Sequence, residues 1–201
     1  MSKRAPADHP IHDVVADRWS PYVYADTPVD ASTVASLLEA ARWAPSSYNE
    51  QPWRYLVGFK GDDAWQAIFD SLMAANQAWA EPAGVLMVSV ASMRYARNDK
   101  PNAHAWHDVG LATGNLLAEA TARGLLAHQM GGFSADVVRE RFGVPEHYAP
   151  IAAIALGHHG DPAAAAEELA QRESGARSRR PLVEMAFGAA WGTAAVLGDG
   201  A

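Results

Sequence analysis

From Asn102 to Leu126 the chain reads "NAHAWHDVGLATGNLLAEATARGLL", the longest helical pattern it contains. Val109, Thr113, Leu116, Leu117 and Ala120 form one stripe at helical spacing, while Gly110, Ala112 and Gly114 keep the rest of the surface small. A helix over 103–123 that is apolar or small on most faces is stable only when other elements surround it. Its small residues also let a second helix come close. Whatever this chain folds into is built around that helix, and 201 residues are enough for one domain with a proper core.

Around it the pattern is mixed. A short helix is expected over Ile11–Arg18, and a strong one in "TPVDASTVASLLEAARWAP", with Asp30 as cap, Val34, Leu37, Leu38 and Ala41 on one face, and Pro45 as the stop. "DDAWQAIFDSLMAANQAWA" reads as a single helix, and "SADVVRERFGVP" as a short amphipathic one capped by Ser134 and closed by Gly143 and Pro145. "RYLVGF", "GVLMVSVA" and "APIAAIALG" read as three strands, the second with little polar alternation and so buried. Residues 1–9 read as a loose leader, "DPAAAAEELAQRESGARSRR" as a surface helix or loop that turns basic, and 188–201 as an extended arm with a lone Trp191. Three strands among this much helix favour an α+β class over a doubly wound sheet. No "GxGxxG" follows a strand and no "GxxxxGK" occurs, so neither a Rossmann nor a P-loop site is supported.

Charge and composition narrow the partners. The formal net charge of −7 argues against nucleic acid or an anionic membrane surface, so any bound anion must be held by a local basic cluster. The absence of cysteine removes disulfides, thiolate catalysis, Fe–S clusters and Cys-zinc sites together. No apolar h-region follows the basic N-terminus, and runs such as Ala83–Ala91 are too short to span a bilayer. These features point to a soluble, cytoplasmic protein with no membrane partner. Seven tryptophans imply flat apolar surface in a core, a ligand site or a subunit interface.

Three separated stretches carry groups a ligand could use. Arg18 and Ser20 stand at the end of the first helix, where a guanidinium fork and a hydroxyl can hold a phosphate. Arg177, Arg179 and Arg180 cluster in "RSRRPL". Either cluster alone is an ordinary solvated face; together, in an acidic chain, they suggest two arginine groups converging on one dianion. The third stretch is neutral. "PSSYNEQPW" offers Ser46, Ser47, Asn49 and Gln51 without charge, and "HQMGGF" offers bare backbone at Gly131-Gly132 that can approach a flat ring closely. The plain alternatives are a loop of Asx-type turns and a turn after a strand. His104, His107 and Asp108, at i, i+3 and i+4, could face a metal from one side of a helix, but no "HExxH" accompanies them.

In order along the chain, Arg18-Trp19-Ser20, Ala44-Pro45-Ser46-Ser47-Tyr48-Asn49-Glu50-Gln51-Pro52-Trp53, Gly131-Gly132-Phe133, Ala155-Leu156-Gly157 and Arg179-Arg180-Pro181-Leu182 resemble the nitroreductase family of FMN-dependent oxidoreductases. The resemblance implies a central antiparallel-containing sheet flanked by helices in an intertwined homodimer, with an FMN-binding domain over 10–187. It implies that Arg18, Ser20, Arg177 and Arg179 hold the FMN phosphate, with Trp19 inside the same motif. Asn76 would meet the polar edge of the isoalloxazine, and Gln129, Met130, Gly131 and Gly132 would present backbone near N5. Pro45, Ser46, Ser47, Asn49 and Gln51 belong to the loop that would reach the flavin from the other subunit. The implied activity passes hydride from NADH or NADPH through flavin N5 to a flat small-molecule acceptor such as a nitroaromatic or quinone, by ping-pong kinetics, with no side chain singled out as catalytic. A flavin-binding protein without reductase turnover and a specialised flavin dehydrogenase are the alternatives on the same fold. Two positions depart from the family pattern: Pro21-Tyr22 stands where a second basic residue is usual, and His158-His159 where Tyr-Pro is common.

Overall fold

The computed structural model describes residues 3–197. Its centre is a four-stranded sheet of β1 (Trp53–Phe59), β2 (Val85–Ser92), β3 (Leu126–Met130) and β4 (Tyr148–Gly157) in the order β1-β2-β4-β3, with every neighbouring pair antiparallel. β2 lies inside the sheet and is covered on both faces. Val85, Met87 and Ala91 join one core with Ile154 and Leu156, while Leu86, Val88 and Val90 join a second with Ala153 and Ala155. That double burial is why the strand shows no polar alternation.

Helices supply the two outer layers. α1 (Asp13–Asp17) follows the N-terminal segment, and α2 (Ala31–Arg42) packs Val34, Leu37 and Ala41 onto the first core. α3 (Asp63–Ser71) and α4 (Ala74–Ala80) cover the second core with Trp65, Ile68 and Trp79. The long helix α5 (Ala105–Ala122) sends Val109, Ala112, Leu116 and Ala120 into the first core. α6 (Ala135–Phe142) adds Val138 to the second; the Ser134 hydroxyl caps it by accepting from the Val137 N–H, and Gly143 closes it at φ 61°. α7 (Glu167–Ser174) precedes the basic C-terminal stretch. Among the described residues no helix is long and apolar enough to cross a membrane.

The fold is α+β, and several of the sequence expectations need correction. The expected single helix over 62–80 is two, broken at Leu72-Met73, because Leu72 bridges to Phe133 and the Met73 N–H donates to the Gly132 carbonyl at 3.0 Å. A fourth strand, "LAHQM", escaped the pattern because it is five residues long and carries His128 and Gln129 in its middle. The tail does not run out as an extended arm. Gly192 turns it at φ 83°, the Ala195 N–H donates to the Ala186 carbonyl at 2.9 Å, and Trp191 packs on Phe187 at 4.9 Å; residues 198–201 of that arm fall outside the described range. Lys3 to Ala5, read as part of a loose leader, are tied to the body: Arg4 pairs with Asp13 and Asp17, and the Ala5 N–H donates to the Ala16 carbonyl at 2.8 Å. α5 is enclosed on one side only within a single chain. Its opposite side, with Trp106, Gly110, Leu111 and Gly114, is exposed.

Candidate functional site

Arg18 ends α1 and is half-buried, yet among the described residues it has no carboxylate partner and no hydrogen-bond acceptor. Burial lowers its pKa first, and the like charges of Arg177 and then Arg179 lower it further. The three guanidinium groups therefore share one neighbourhood, although about 160 residues of chain separate the first from the others. Arg177 is held in place: its Nη1 donates to the Lys3 carbonyl at 2.5 Å and to the Ala16 carbonyl at 2.7 Å. Its own pKa is lowered by burial and by Arg179, with Asp17 opposing. Like charges gathered this way, one without any partner, form a site suited to an anion. Ser20, two residues beyond Arg18, is exposed. The Trp19 indole is turned inward at 6% exposure, edge-on to His159 with the Lys3 ammonium over its ring.

A second group forms where α4 meets the end of β3. Asn76 Nδ2 donates to the Gly132 carbonyl at 2.9 Å, the same oxygen that accepts from the Met73 N–H. A Cβ on Gly132 would sit 2.7 Å from Asn76 Nδ2, so only glycine allows this approach. Asn76 thus spends its amide donor on orienting the glycine backbone, and its carbonyl oxygen has no partner among the described residues. Met130 is buried, whereas Gln129 and Gly131 are exposed.

The third group is the loop between α2 and β1. Tyr48, Asn49 and Gln51 all have positive φ, at 55°, 56° and 51°. Non-glycine residues rarely adopt this region, and three of them within four positions must be imposed from outside. The Ser47 N–H donates to Asp108 Oδ2 at 3.0 Å, the Gln51 N–H to Ser46 Oγ at 3.0 Å, and the Gln51 side chain to the Asn49 carbonyl at 3.2 Å. Ser47 Oγ also lies 3.3 Å from the Tyr95 hydroxyl, and the Arg97 guanidinium sits 4.1 Å from the Tyr48 ring centre. Pro45 and Asn49 are exposed. A pocket of about 250 Å3 opens beside this loop, lined in part by Gln51, Arg54, Tyr95 and His147.

The first and third groups occupy opposite corners of the sheet. The loop feeds edge strand β1 at Trp53. The arginine group is tied to the other edge strand, where His128 Nδ1 meets the Pro21 carbonyl at 2.8 Å. His128 aligns through Ala155 and Leu86 with Gly58, five residues along β1 from Trp53. Three strand spacings and five residues of rise place His128 about 20 Å from Trp53, the strand positions to which the two groups are tied.

Two residues important to this geometry were not read as such from the sequence. Asp108 entered only as a candidate metal ligand. In the fold it is buried, with Oδ1 3.1 Å from His107 Nδ1 and Oδ2 on the loop, and among the described residues no three His, Cys, Asp or Glu side chains gather as a metal site. Glu173, one acidic residue in a polar stretch, gave no signal, yet it is 3% exposed and joins distant segments.

Comparison with known proteins agrees with this architecture. A sequence profile described as the nitroreductase family matches residues 15–78 and 58–158. An uncharacterised 15.4 kDa protein of Mycolicibacterium smegmatis is 37% identical over 147 residues, covering 69% of this chain and 97% of that protein. A Streptomyces coelicolor protein provisionally named NADH dehydrogenase/NAD(P)H nitroreductase is 25% identical over 167 residues, covering 74% and 82% of the two chains. A crystal structure described as an oxidoreductase containing FMN superposes with a TM-score of 0.89 at 31% identity, over 95% of this chain and 98% of that one. With the family profile spanning most of the chain and the fold matched nearly end to end, this protein belongs to the nitroreductase family.

Proposed function

We propose that this protein is an FMN-dependent oxidoreductase that works as a homodimer, with its binding domain over residues 10–187. The observation that carries the reading is the gathering of Arg177 and Arg179 about Arg18, which is half-buried and has no carboxylate partner among the described residues. A dianionic phosphate answers that surplus charge. The rest of the donor set suits a flavin. At the exposed Gly131 nothing stands within 4 Å of where a Cβ would lie, so a flat ring can meet bare backbone there, and the Asn76 carbonyl is left to accept from a ring N–H. Bound there, FMN supplies two-electron transfer between a reduced nicotinamide nucleotide and a flat acceptor such as a nitroaromatic or quinone.

The chain's own residues bind, orient and enclose. Arg18, Ser20, Arg177 and Arg179 hold the phosphate, and Gln129 to Gly132 with Asn76 set the ring's height and tilt. Pro45, Ser46, Ser47, Asn49 and Gln51 lie too far across the sheet to close on the same ligand within one chain. In this reading they cover the ring bound by the second copy, and the exposed face of α5 forms the dimer contact. The strain at Tyr48, Asn49 and Gln51 fits a loop held ready for a ligand rather than relaxed for stability. Acceptor choice falls to the loop's surroundings, with Tyr48, Tyr95 and Arg97 beside it.

The experiment is direct. Purified protein should be yellow or turn yellow on adding FMN at one per chain, and should then oxidise NADH or NADPH in the presence of a quinone or nitroaromatic. A colourless protein that takes up no FMN ends the proposal. Bound FMN that neither nicotinamide reduces leaves only its binding half.

A further inference from the structure

Glu173 projects from α7 into a place where a carboxylate is costly unless both oxygens are satisfied. Both are. Oε2 accepts the Tyr22 N–H at 2.7 Å and Oε1 lies 2.7 Å from His159 Nε2. The Glu173 backbone carbonyl also accepts from the Lys3 ammonium, and the Lys3 carbonyl in turn accepts from Arg177. One residue thereby ties together the segment after α1, the residues following β4, and the start of the basic C-terminal stretch. Arg18 is bracketed by this arrangement. On one side Arg177 grips the Ala16 carbonyl, and on the other Glu173 grips the Tyr22 N–H. Arg177 itself lies four residues beyond Glu173. His159 also belongs to one of the two departures from the family pattern, and here its ring bonds this carboxylate.

We infer that Glu173 is a positioning residue for the phosphate site. Its carboxylate, oriented by His159, fixes the separation of Arg18 and Arg177 so that they bind one phosphate dianion together. Three like charges repel one another and would spread apart in the unliganded chain; a buried, hydrogen-bonded carboxylate beside them keeps them converged before the ligand arrives, which removes an ordering cost from binding. This inference rests on the FMN reading above, and the test separates the two.

The measurement is the ratio of FMN to riboflavin affinity, followed by flavin fluorescence on the full-length protein. Riboflavin lacks the phosphate but shares the ring, so the ratio isolates the arginine group. Wild-type protein should prefer FMN by about a hundredfold or more, as two or more charge-assisted contacts to phosphate imply. Glu173→Ala should cut that preference about tenfold or more while riboflavin affinity stays within about threefold. Glu173→Gln should keep most of it, because the amide can accept from the Tyr22 N–H and donate to a neutral His159. His159→Phe, which spares the Tyr22 bond and the packing on Trp19, should move the ratio the same way by a smaller factor, and it serves where Glu173→Ala does not fold. An unchanged ratio in the alanine and phenylalanine variants overturns the inference, as does an equal loss of both affinities, which would mark a purely structural role. A wild-type protein that does not distinguish FMN from riboflavin overturns the phosphate reading of the arginine group, and the inference with it.

Discussion

Arg18 stands half-buried among like charges with nothing to balance it, and a residue so placed works against the stability of the unliganded chain. Repulsion between neighbouring surface charges is about 0.5 kcal/mol per pair, so Arg18→Gln, which keeps most of the apolar stem, should stabilise the FMN-free protein by about 1 kcal/mol in urea unfolding. The same change should weaken FMN binding about 10- to 100-fold, the loss of one charge-assisted contact of about 1.5–3 kcal/mol. Opposite signs in one variant are the mark of a binding residue; a loss of stability with unchanged FMN affinity would assign Arg18 to the scaffold. His128 tests the neighbourhood from another direction. It stacks on Trp79 at 4.4 Å, and its pKa is lowered by burial above all, with Arg172 and Arg18 adding to the effect while the Pro21 carbonyl and Glu173 oppose it. In the window between the lowered folded value and the ordinary histidine value, the unfolded chain binds more protons than the folded one. Stability is therefore complete above that window and drains as pH falls through it. The urea midpoint should fall on acidification from neutral pH, and His128→Gln should flatten that part of the curve.

At the scale of elements, the loop of residues 43–52 depends on a helix more than fifty residues away. Asp108 on α5 holds the Ser47 N–H, and with it the strained run from Tyr48 to Gln51. Asp108→Ala leaves that N–H without its acceptor and should destabilise the chain by about 2 kcal/mol. Amide exchange at Ser47 and Gln51 should quicken more than in the sheet, while Asp108→Asn, which keeps an acceptor oxygen, should restore most of both. Slow exchange persisting at Ser47 in the alanine variant would show that the loop needs no anchor. This dependence marks the boundary of what the sequence reveals. α2, α6, β1 and β2 were legible because burial imposes a period or a continuous apolar run, and Ser134 and Gly143 punctuate α6 in the usual way. The motif stretches were legible as well, since arginines, paired glycines and an uncharged polar loop each have a recognisable chemistry. Illegible were the features set by distant partners. The break at Leu72-Met73 depends on Gly132, β3 on pairing with β4, and the importance of Asp108 and Glu173 on backbone N–H groups far along the chain. No local spacing encodes those contacts.

The whole molecule raises the question of how many chains make one site. The arginine group and the 45–51 loop occupy opposite corners of the sheet, and α5 leaves Trp106, Leu111 and its two glycines uncovered. The proposed two-fold dimer accounts for both facts if its isologous contact brings the loop of one copy to the arginine group of the other, twice over. That arrangement makes a prediction no single-chain site can meet. Take Arg18→Gln as one parent, and as the other a variant with both Ser47→Gly and Asn49→Gly, which strips two polar side chains while keeping the Ser47 N–H and suiting the positive φ at Asn49. Each homodimer carries the same lesion in both sites and should bind FMN poorly. Unfolded together in urea and refolded, half of the dimers should be mixed, and each mixed dimer holds one site with both lesions and one with neither. About a quarter of all sites should then bind FMN as the wild type does. Full-affinity binding at that level in the co-refolded sample, and not in the separately refolded parents, would establish a site shared between subunits. Its absence, or a monomer in sedimentation at the working concentration, would return every binding group to one chain and require the loop to cross about 20 Å of sheet to reach its ligand.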